Sequence, residues 1–205
     1  MLTIAIVNDT VIAVEAIRRV IATVADYQVL WTAQNGAEAV AKCAAMPPDL
    51  ILMDLIMPQL DGVMATRQIM ATCPCAILIV TASVRGNTPK VFEAMGYGAL
   101  DVVSTPILGR AGHPTAADPL LGKIRTIAKL LGKATRTPPL RKTPQRQNPI
   151  ALGYPLVVIG ASTGGPNALA TIFSRLPSSL EAAIIVVQHI DVIFTEVFVN
   201  LLDQQ

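Results

Sequence analysis

Short unbroken apolar runs alternate along the first 131 residues with stretches whose apolar positions recur at helical spacing. The runs at 3–7, 29–32, 50–53, 76–80 and 99–103 predict strands, and 11–24, 36–45, 63–71 and 88–95 predict the helices between them. The first helix shows the rule, with Ile12, Ala16, Ile17, Val20, Ile21 and Val24 on one face. Strands buried on both sides read as continuous Val, Ile and Leu, because helices cover both faces of a parallel sheet. Five such strands alternating with helices predict a doubly wound parallel sheet. One more helix is expected with Asp118 as N-cap, Pro119 at its first position, and Leu120, Leu121, Ile124, Ile127, Ala128 and Leu131 on one face. Gly132 ends it.

Residues 133–149 break the pattern. They hold Lys133, Arg136, Arg141, Lys142 and Arg146, no acid, and prolines at 138, 139, 144 and 149. Such a stretch cannot bury a core and reads as an extended tether. After Tyr154 the alternation resumes with a strand at 156–160, a Gly-rich turn, a helix at 166–175, a strand at 182–187 and a helix at 192–202. Two strands are too few for an independent sheet, so this β-α-β-α unit reads as the opening of a larger domain. The expected division is a domain at 1–132, a basic Pro-rich linker at 133–153 and an incomplete second domain at 154–205.

Composition narrows the class. Apolar residues make up 52% and aromatics only 4%, so the cores are aliphatic. A net charge of +2 is too small to argue for nucleic acid or a membrane surface. No apolar run approaches the roughly 18 to 20 residues of a membrane span, and the N-terminus enters a strand directly, without a basic leader. No membrane insertion is expected. Cys73 and Cys75 flank a proline, but two thiols cannot close a zinc site; reduced, cytosolic thiols are the expectation. His113 lies in a Gly/Pro loop and receives no role.

Functional groups in a parallel sheet gather beyond the carboxyl ends of the strands. Here those ends carry Asn8 and Asp9, Asp54, and Thr81. Two carboxylates in one crevice repel unless a divalent cation joins them, and hard oxygen ligands suit Mg²⁺. An aspartate in that setting is a nucleophile for phosphorus, and Thr81 is placed to donate to a phosphoryl oxygen. In the second segment, Gly160-Ala161-Ser162-Thr163-Gly164-Gly165 follows a strand and opens a helix. The spacing fits the G-x-S-x-G elbow that exposes a nucleophilic serine. A dinucleotide loop is the rival, but it wants Gly at the position of Ser162 and an acid after the next strand. That strand ends in Gln188-His189 instead. A right-handed β-α-β unit brings Ser162 and His189 to one edge, a hydrolase arrangement.

Residues 1–108 resemble the response-regulator receiver family of two-component signalling. The resemblance rests on Asn8-Asp9, on Leu52-Met53-Asp54-Leu55-Ile56-Met57-Pro58 with Asp61-Gly62, on Thr81-Ala82, and on Gly98-Ala99 ahead of Thr105-Pro106. It implies phosphorylation of Asp54, Mg²⁺ held by Asp9, Asp54 and the Ile56 carbonyl with Asn8 a weaker ligand, and Thr81 as switch hydroxyl. The family usually has a second acid in place of Asn8 and a lysine in place of Thr105, which falls at a switch position. Its usual aromatic on the last strand is also missing, with Val102 near that place.

The second segment is similar to the catalytic domain of chemotaxis protein-glutamate methylesterases (the CheB family), on the strength of Ile159 to Pro166 and Val187-Gln188-His189. Asn8-Asp9 and Gln188-His189-Ile190-Asp191 look closest to the branch in surface-sensing (Wsp-type) pathways. Receiver, basic linker and esterase occur there in this order. The fold class implied is α/β: a five-stranded doubly wound parallel receiver, a linker, and the first β-α-β-α part of a Rossmann-like esterase domain. The implied roles are Ser162 as nucleophile, His189 as base and Thr163 as an active-site neighbour. The implied substrate is the glutamate γ-methyl ester of a methyl-accepting chemoreceptor, with glutamine deamidation as a second reaction. A histidine kinase of the chemosensory type is the implied phosphodonor, in the cytoplasm. The family's triad aspartate lies in a Gly-rich segment beyond His189, and neither Asp191 nor Asp203 sits in such a motif, so weak esterase activity is expected of these 205 residues. In the family the unphosphorylated receiver covers the esterase site. The alternative is a phosphorylation-dependent binding module without catalysis. With Asn8 and Thr105 in place of an acid and a lysine, titration with Mg²⁺ and a small phosphodonor is expected to show weaker metal binding, slower phosphorylation, or both. Ordinary values for a receiver would overturn this.

Overall fold

The computed structural model describes residues 1–83, 85–108, 114–115, 117–133, 155–190 and 194–203. Its first unit is a five-stranded parallel sheet in the order β2-β1-β3-β4-β5. The strands are β1 (Leu2–Val7), β2 (Tyr27–Ala33), β3 (Leu50–Met53), β4 (Ala76–Thr81) and β5 (Asp101–Ser104). Helices α1 (Val11–Ala22), α2 (Gly36–Ala45), α3 (Gly62–Thr72), α4 (Thr88–Gly96) and α5 (Ala117–Leu130) alternate with them. A two-residue pair, β6 (Ile107–Leu108) with β7 (Pro114–Thr115), precedes α5.

The apolar faces settle which helix lies on which side. Ile17, Val20 and Ile21 of α1 and Leu120, Ile124 and Ile127 of α5 pack on Leu2, Ile4, Ile6, Leu52 and Leu78. On the other face, α2, α3 and α4 bring Ala39, Cys43, Ile69, Val91 and Phe92 onto Ala5, Val7, Ile51, Met53 and Ile77. The central strands bury every residue, as their unbroken Leu and Ile runs require.

Most element boundaries shift by a residue or more from expectation, and two of the shifts have a clear local cause. The strand expected at 99–103 begins at Asp101. Gly98 at φ 115° ends α4 by turning the chain, and Gly98 and Ala99 donate back to Met95 and Ala94 at 2.9 and 3.0 Å. Those amides are spent on the helix end before the sheet ladder starts. Helix α5 begins at Ala117, two residues ahead of Pro119, so Asp118 lies in its first turn, where its charge favours the helix dipole, and is not the cap. The expected linker at 133–153 falls outside the described residues except for Lys133, whose ammonium reaches Asp49 at 2.6 Å.

The second unit pairs β8 (Leu156–Ala161) with β9 (Ala183–Gln188) in parallel, with α6 (Gly165–Phe173) between them and α7 (Thr195–Asp203) after. It shares a core with the first unit. Leu169, Phe194 and Phe198 belong to the cluster built on α4, and the Phe92 and Phe194 rings meet edge to face at 5.6 Å. The opposite face of the two strands exposes Val158, Ile185 and Val187 at 61%, 49% and 61%.

One glycine ties this packing to chemistry. Gly62, the first residue of α3, donates to the Leu55 carbonyl at 3.0 Å, so α3 starts against the loop that follows Asp54. A Cβ there would collide with the Asp54 carbonyl oxygen and stand 2.9 Å from the Leu55 Cα. Both are backbone atoms and cannot step aside. Gly62→Ala is expected to lower the unfolding free energy by about 2–3 kcal/mol, read as a lower urea midpoint. An unchanged midpoint would show that the loop yields.

Candidate functional site

The β1–β3 and β3–β4 ladders run in register up to Val7, Met53 and Ile79, so the residues beyond them share one edge. Asp54 donates its backbone N–H to Val7 at 2.9 Å and turns its half-buried carboxylate into the crevice. Its Oδ2 accepts from Asn8 Nδ2 at 3.0 Å and its Oδ1 from the Leu55 N–H at 2.7 Å. The Ile56 N–H and the Thr81 hydroxyl lie near enough to favour its ionised form. Burial pushes the Asp54 carboxyl above the usual carboxylate range. The N–H groups of Leu55 and Ile56 oppose that shift, and the nearby Asp9 charge adds to it.

Asp9 is exposed, and its Oδ1 accepts from the Thr10 hydroxyl at 3.2 Å. Asn8 is only 3% exposed and turns its Oδ1 toward the Thr10 N–H at 2.8 Å. Thr81 is 1% exposed, and its oxygen accepts from Asn87 Nδ2 at 3.1 Å. Thr105 donates its backbone N–H to Thr81 at 3.0 Å, while its buried hydroxyl has no hydrogen-bond partner among the described residues.

This donor set fits a hard divalent cation. The Asp9 charge burdens the ionised form of Asp54, and the Ile56 carbonyl accepts no backbone hydrogen bond among the described residues. Mg²⁺ is held by one or two carboxylates and keeps several waters, so a three-residue oxygen set suffices. No cluster of three or more His, Cys, Asp or Glu suited to a metal occurs among the described residues.

The second edge lies beyond β8 and β9. After Ala161 the chain turns through Ser162 and Thr163 to Gly164, whose φ of 78° only glycine adopts easily, and α6 begins at Gly165-Pro166. The His189 N–H continues the ladder onto Ala161 at 2.8 Å, which sets the imidazole beside the elbow. Ser162 Oγ stands 3.3 Å from His189 Nδ1. Gln188 spans the two, its Nε2 donating to the Ser162 carbonyl at 2.9 Å and to the His189 carbonyl at 3.2 Å. A serine triad presents Nε2 to the hydroxyl and gives Nδ1–H to a carboxylate. Here Nδ1 faces the serine, and no carboxylate among the described residues pairs with the ring.

The first unit closes over this edge. Gly164 donates its N–H to the Leu100 carbonyl at 2.7 Å, and the Thr163 hydroxyl donates to Asp101 Oδ2 at 2.7 Å. Lys123 of α5 reaches the same oxygen at 2.6 Å. Ser162 and His189 thus face a cleft of about 640 Å³ whose other wall includes Asp101, Ser104 and Lys123.

Every expected site residue lies among the described ones, and they fall into the two expected groups. Asn87, Leu100, Asp101 and Lys123 went unnoticed in the sequence. Asn87 had a faint signal as a polar residue just before a helix; the others meet the site only by docking. None of the three thiols is in a disulfide; burial, then the neighbouring sulfurs, pushes the Cys43 thiol up, and burial pushes Cys75 up to about 11 against the opposing hydrogen bond with Cys43.

Comparison with known proteins finds a family for each of the two units. Residues 4–111 match the response regulator receiver domain family, and residues 157–205 match the CheB methylesterase family. A protein-glutamate methylesterase/protein-glutamine glutaminase of Burkholderia thailandensis is 54% identical over 191 residues, covering 93% of this chain and 55% of the relative. One from Pseudomonas aeruginosa is 51% identical, covering 93% and 56%. The chain spans about half the length of these curated relatives. Among solved structures, the response regulator domain of Thermotoga maritima CheB superposes with a TM-score of 0.55 at 28% identity, over 63% of this chain and 97% of that one. A chain from the complex of the CheA3 P1 domain with CheY6 of R. sphaeroides gives 0.52 at 29% identity, over 62% and 97%.

The electrostatics of the acid crevice give a direct expectation. Asp9→Asn removes a charge that burdens ionised Asp54, so in metal-free buffer near neutral pH the melting midpoint rises by about 2 °C. A carboxyl raised on folding stabilises the fold while protonated and loses that contribution as pH rises through the folded pKa. The gain therefore fades as pH falls through the raised Asp54 pKa, and stabilisation by added Mg²⁺ shrinks in the variant. A lower midpoint at neutral pH would refute the repulsion.

Proposed function

Because the chain belongs to the response-regulator receiver family and continues into a stretch that matches CheB methylesterases, we propose that phosphorylation of Asp54 controls ester hydrolysis at Ser162. The observation that carries this is the Ser162–His189 pair at 3.3 Å, in a cleft walled by the receiver's own Asp101. The substrate is the glutamate γ-methyl ester on the cytoplasmic helices of a methyl-accepting chemoreceptor. Receptor glutamine is a second substrate, deamidated by the same chemistry. The phosphodonor is a chemosensory histidine kinase, and the reaction is cytoplasmic. No helix among the described residues is long and apolar enough to cross a membrane.

In the receiver, an Asp54 carboxylate oxygen attacks the donor's phosphorus, and the bond from phosphorus to the leaving group breaks with its electron pair. Mg²⁺ held by Asp9, Asp54 and the Ile56 carbonyl would neutralise charge on the phosphoryl oxygens. Thr81, which accepts from Asn87 and stands near Asp54, turns its hydroxyl to a phosphoryl oxygen. That releases Asn87 at the start of α4, the helix whose Phe92 packs on Phe194. The motion loosens the receiver from the elbow, a two-state interface biased by one covalent group.

In the cleft, Ser162 Oγ attacks the ester carbonyl as His189 takes its proton. The Thr163 N–H and the α6 N-terminus receive the oxyanion. Methanol leaves with the proton returned by His189, and water then frees the glutamate by the same steps. A carboxylate on the far ring nitrogen would hold the imidazole in place. The second reading, a phosphorylation-dependent binding module without turnover, is not favoured by the match to the CheB methylesterase family.

Methanol release from a methylated receptor fragment separates these readings. With a phosphodonor present, Ser162→Ala should reduce release by about a thousandfold or more, to background. Asp101→Ala should raise release without a phosphodonor about tenfold, the worth of one charge-assisted hydrogen bond. Asp54→Asn should abolish the response to the phosphodonor. No turnover in any form, with phosphorylation intact, would leave the binding module.

A further inference from the structure

The side chain of Asn8 is committed on both sides. Its Oδ1 accepts from the Thr10 N–H at 2.8 Å, a turn that starts α1, and its Nδ2 donates to Asp54 Oδ2 at 3.0 Å. At 3% exposure it has little water to fall back on. Rotating the amide to offer its oxygen to a cation would set an N–H against the Thr10 N–H and strip Asp54 of a donor. Two hydrogen bonds thus hold the orientation that points nitrogen, not oxygen, at the acceptor carboxylate. A carboxylate at this position would place a second negative oxygen where the amide nitrogen now sits.

The geometry points to Asn8 as a positioning donor for Asp54, and not as a ligand of the cation. This rests on the reading of Asp54 as the phosphoryl acceptor. The amide does without charge part of what a cation does for a crowded carboxylate: it holds one oxygen in place before any metal arrives. Mg²⁺ is then held by Asp9, Asp54 and the Ile56 carbonyl alone, and Asn8 contributes to transfer through the carboxylate it orients.

Two measurements on the full chain test this, calorimetric Mg²⁺ titration and the rate of phosphorylation by a small acyl phosphate at saturating Mg²⁺. Asn8→Ala should leave the Mg²⁺ Kd within about twofold and slow phosphorylation about tenfold, the size of a lost hydrogen bond to a charged group. Asn8→Asp, which keeps the shape, should tighten Mg²⁺ binding about tenfold, yet still be slower than wild type at saturation because the donor is gone. Weakening of Mg²⁺ binding about fivefold or more in Asn8→Ala would make Asn8 a ligand and overturn the inference. So would a wild-type saturated rate in Asn8→Asp, which also decides the matter should Asn8→Ala not fold. A wild-type chain that binds Mg²⁺ but takes up no phosphoryl group would instead sink the acceptor reading, while the titration still shows whether Asn8 binds metal.

Discussion

The backbone bond from Asp54 to Val7 sits where β1 and β3 run out, and much of the molecule depends on that register. Moving β3 by one residue would turn Asp54 to the other face and push Leu52 out of its core. The register survives because Leu50 to Met53 are buried on both faces, with α1 and α5 below and α2 to α4 above. Burial also makes the carboxylate useful. A desolvated acid beside a second acid has a high-energy charge, and a cation or a phosphoryl group relieves it.

The first unit was legible because its signals are local and periodic. Aliphatic runs gave five strands, helical spacing gave the helices, and acids or hydroxyls at strand ends marked Asp9, Asp54 and Thr81. The start of β5 was misjudged because Ala99 looks like strand, whereas the turn at Gly98 ties its amide to α4. The β6–β7 pair was invisible for a different reason: two-residue strands have no period to read.

At the serine site the chemistry was legible and its setting was not. Ser162 and His189 follow from a strand-turn-helix motif and the handedness of a β-α-β unit. Asp101 and Lys123 belong to another unit more than 35 residues upstream, and only docking brings them to Thr163. Asn8 shows the same limit at smaller scale. An asparagine beside an acid reads as a poor metal ligand, and only atomic contacts reveal which end of the amide faces Asp54.

The bond between Gly164 and Leu100 runs from main chain to main chain. Substituting Leu100 changes its side chain but leaves its carbonyl, and the positive φ at Gly164 excludes proline, the one residue that lacks the donor. Point mutation can therefore erode the Thr163–Asp101 contact one side chain at a time, but it has no simple way to erase this one. Lineages can drift in sequence along that edge of the sheet while the restraint endures, and what undoes it is displacement of the strand itself.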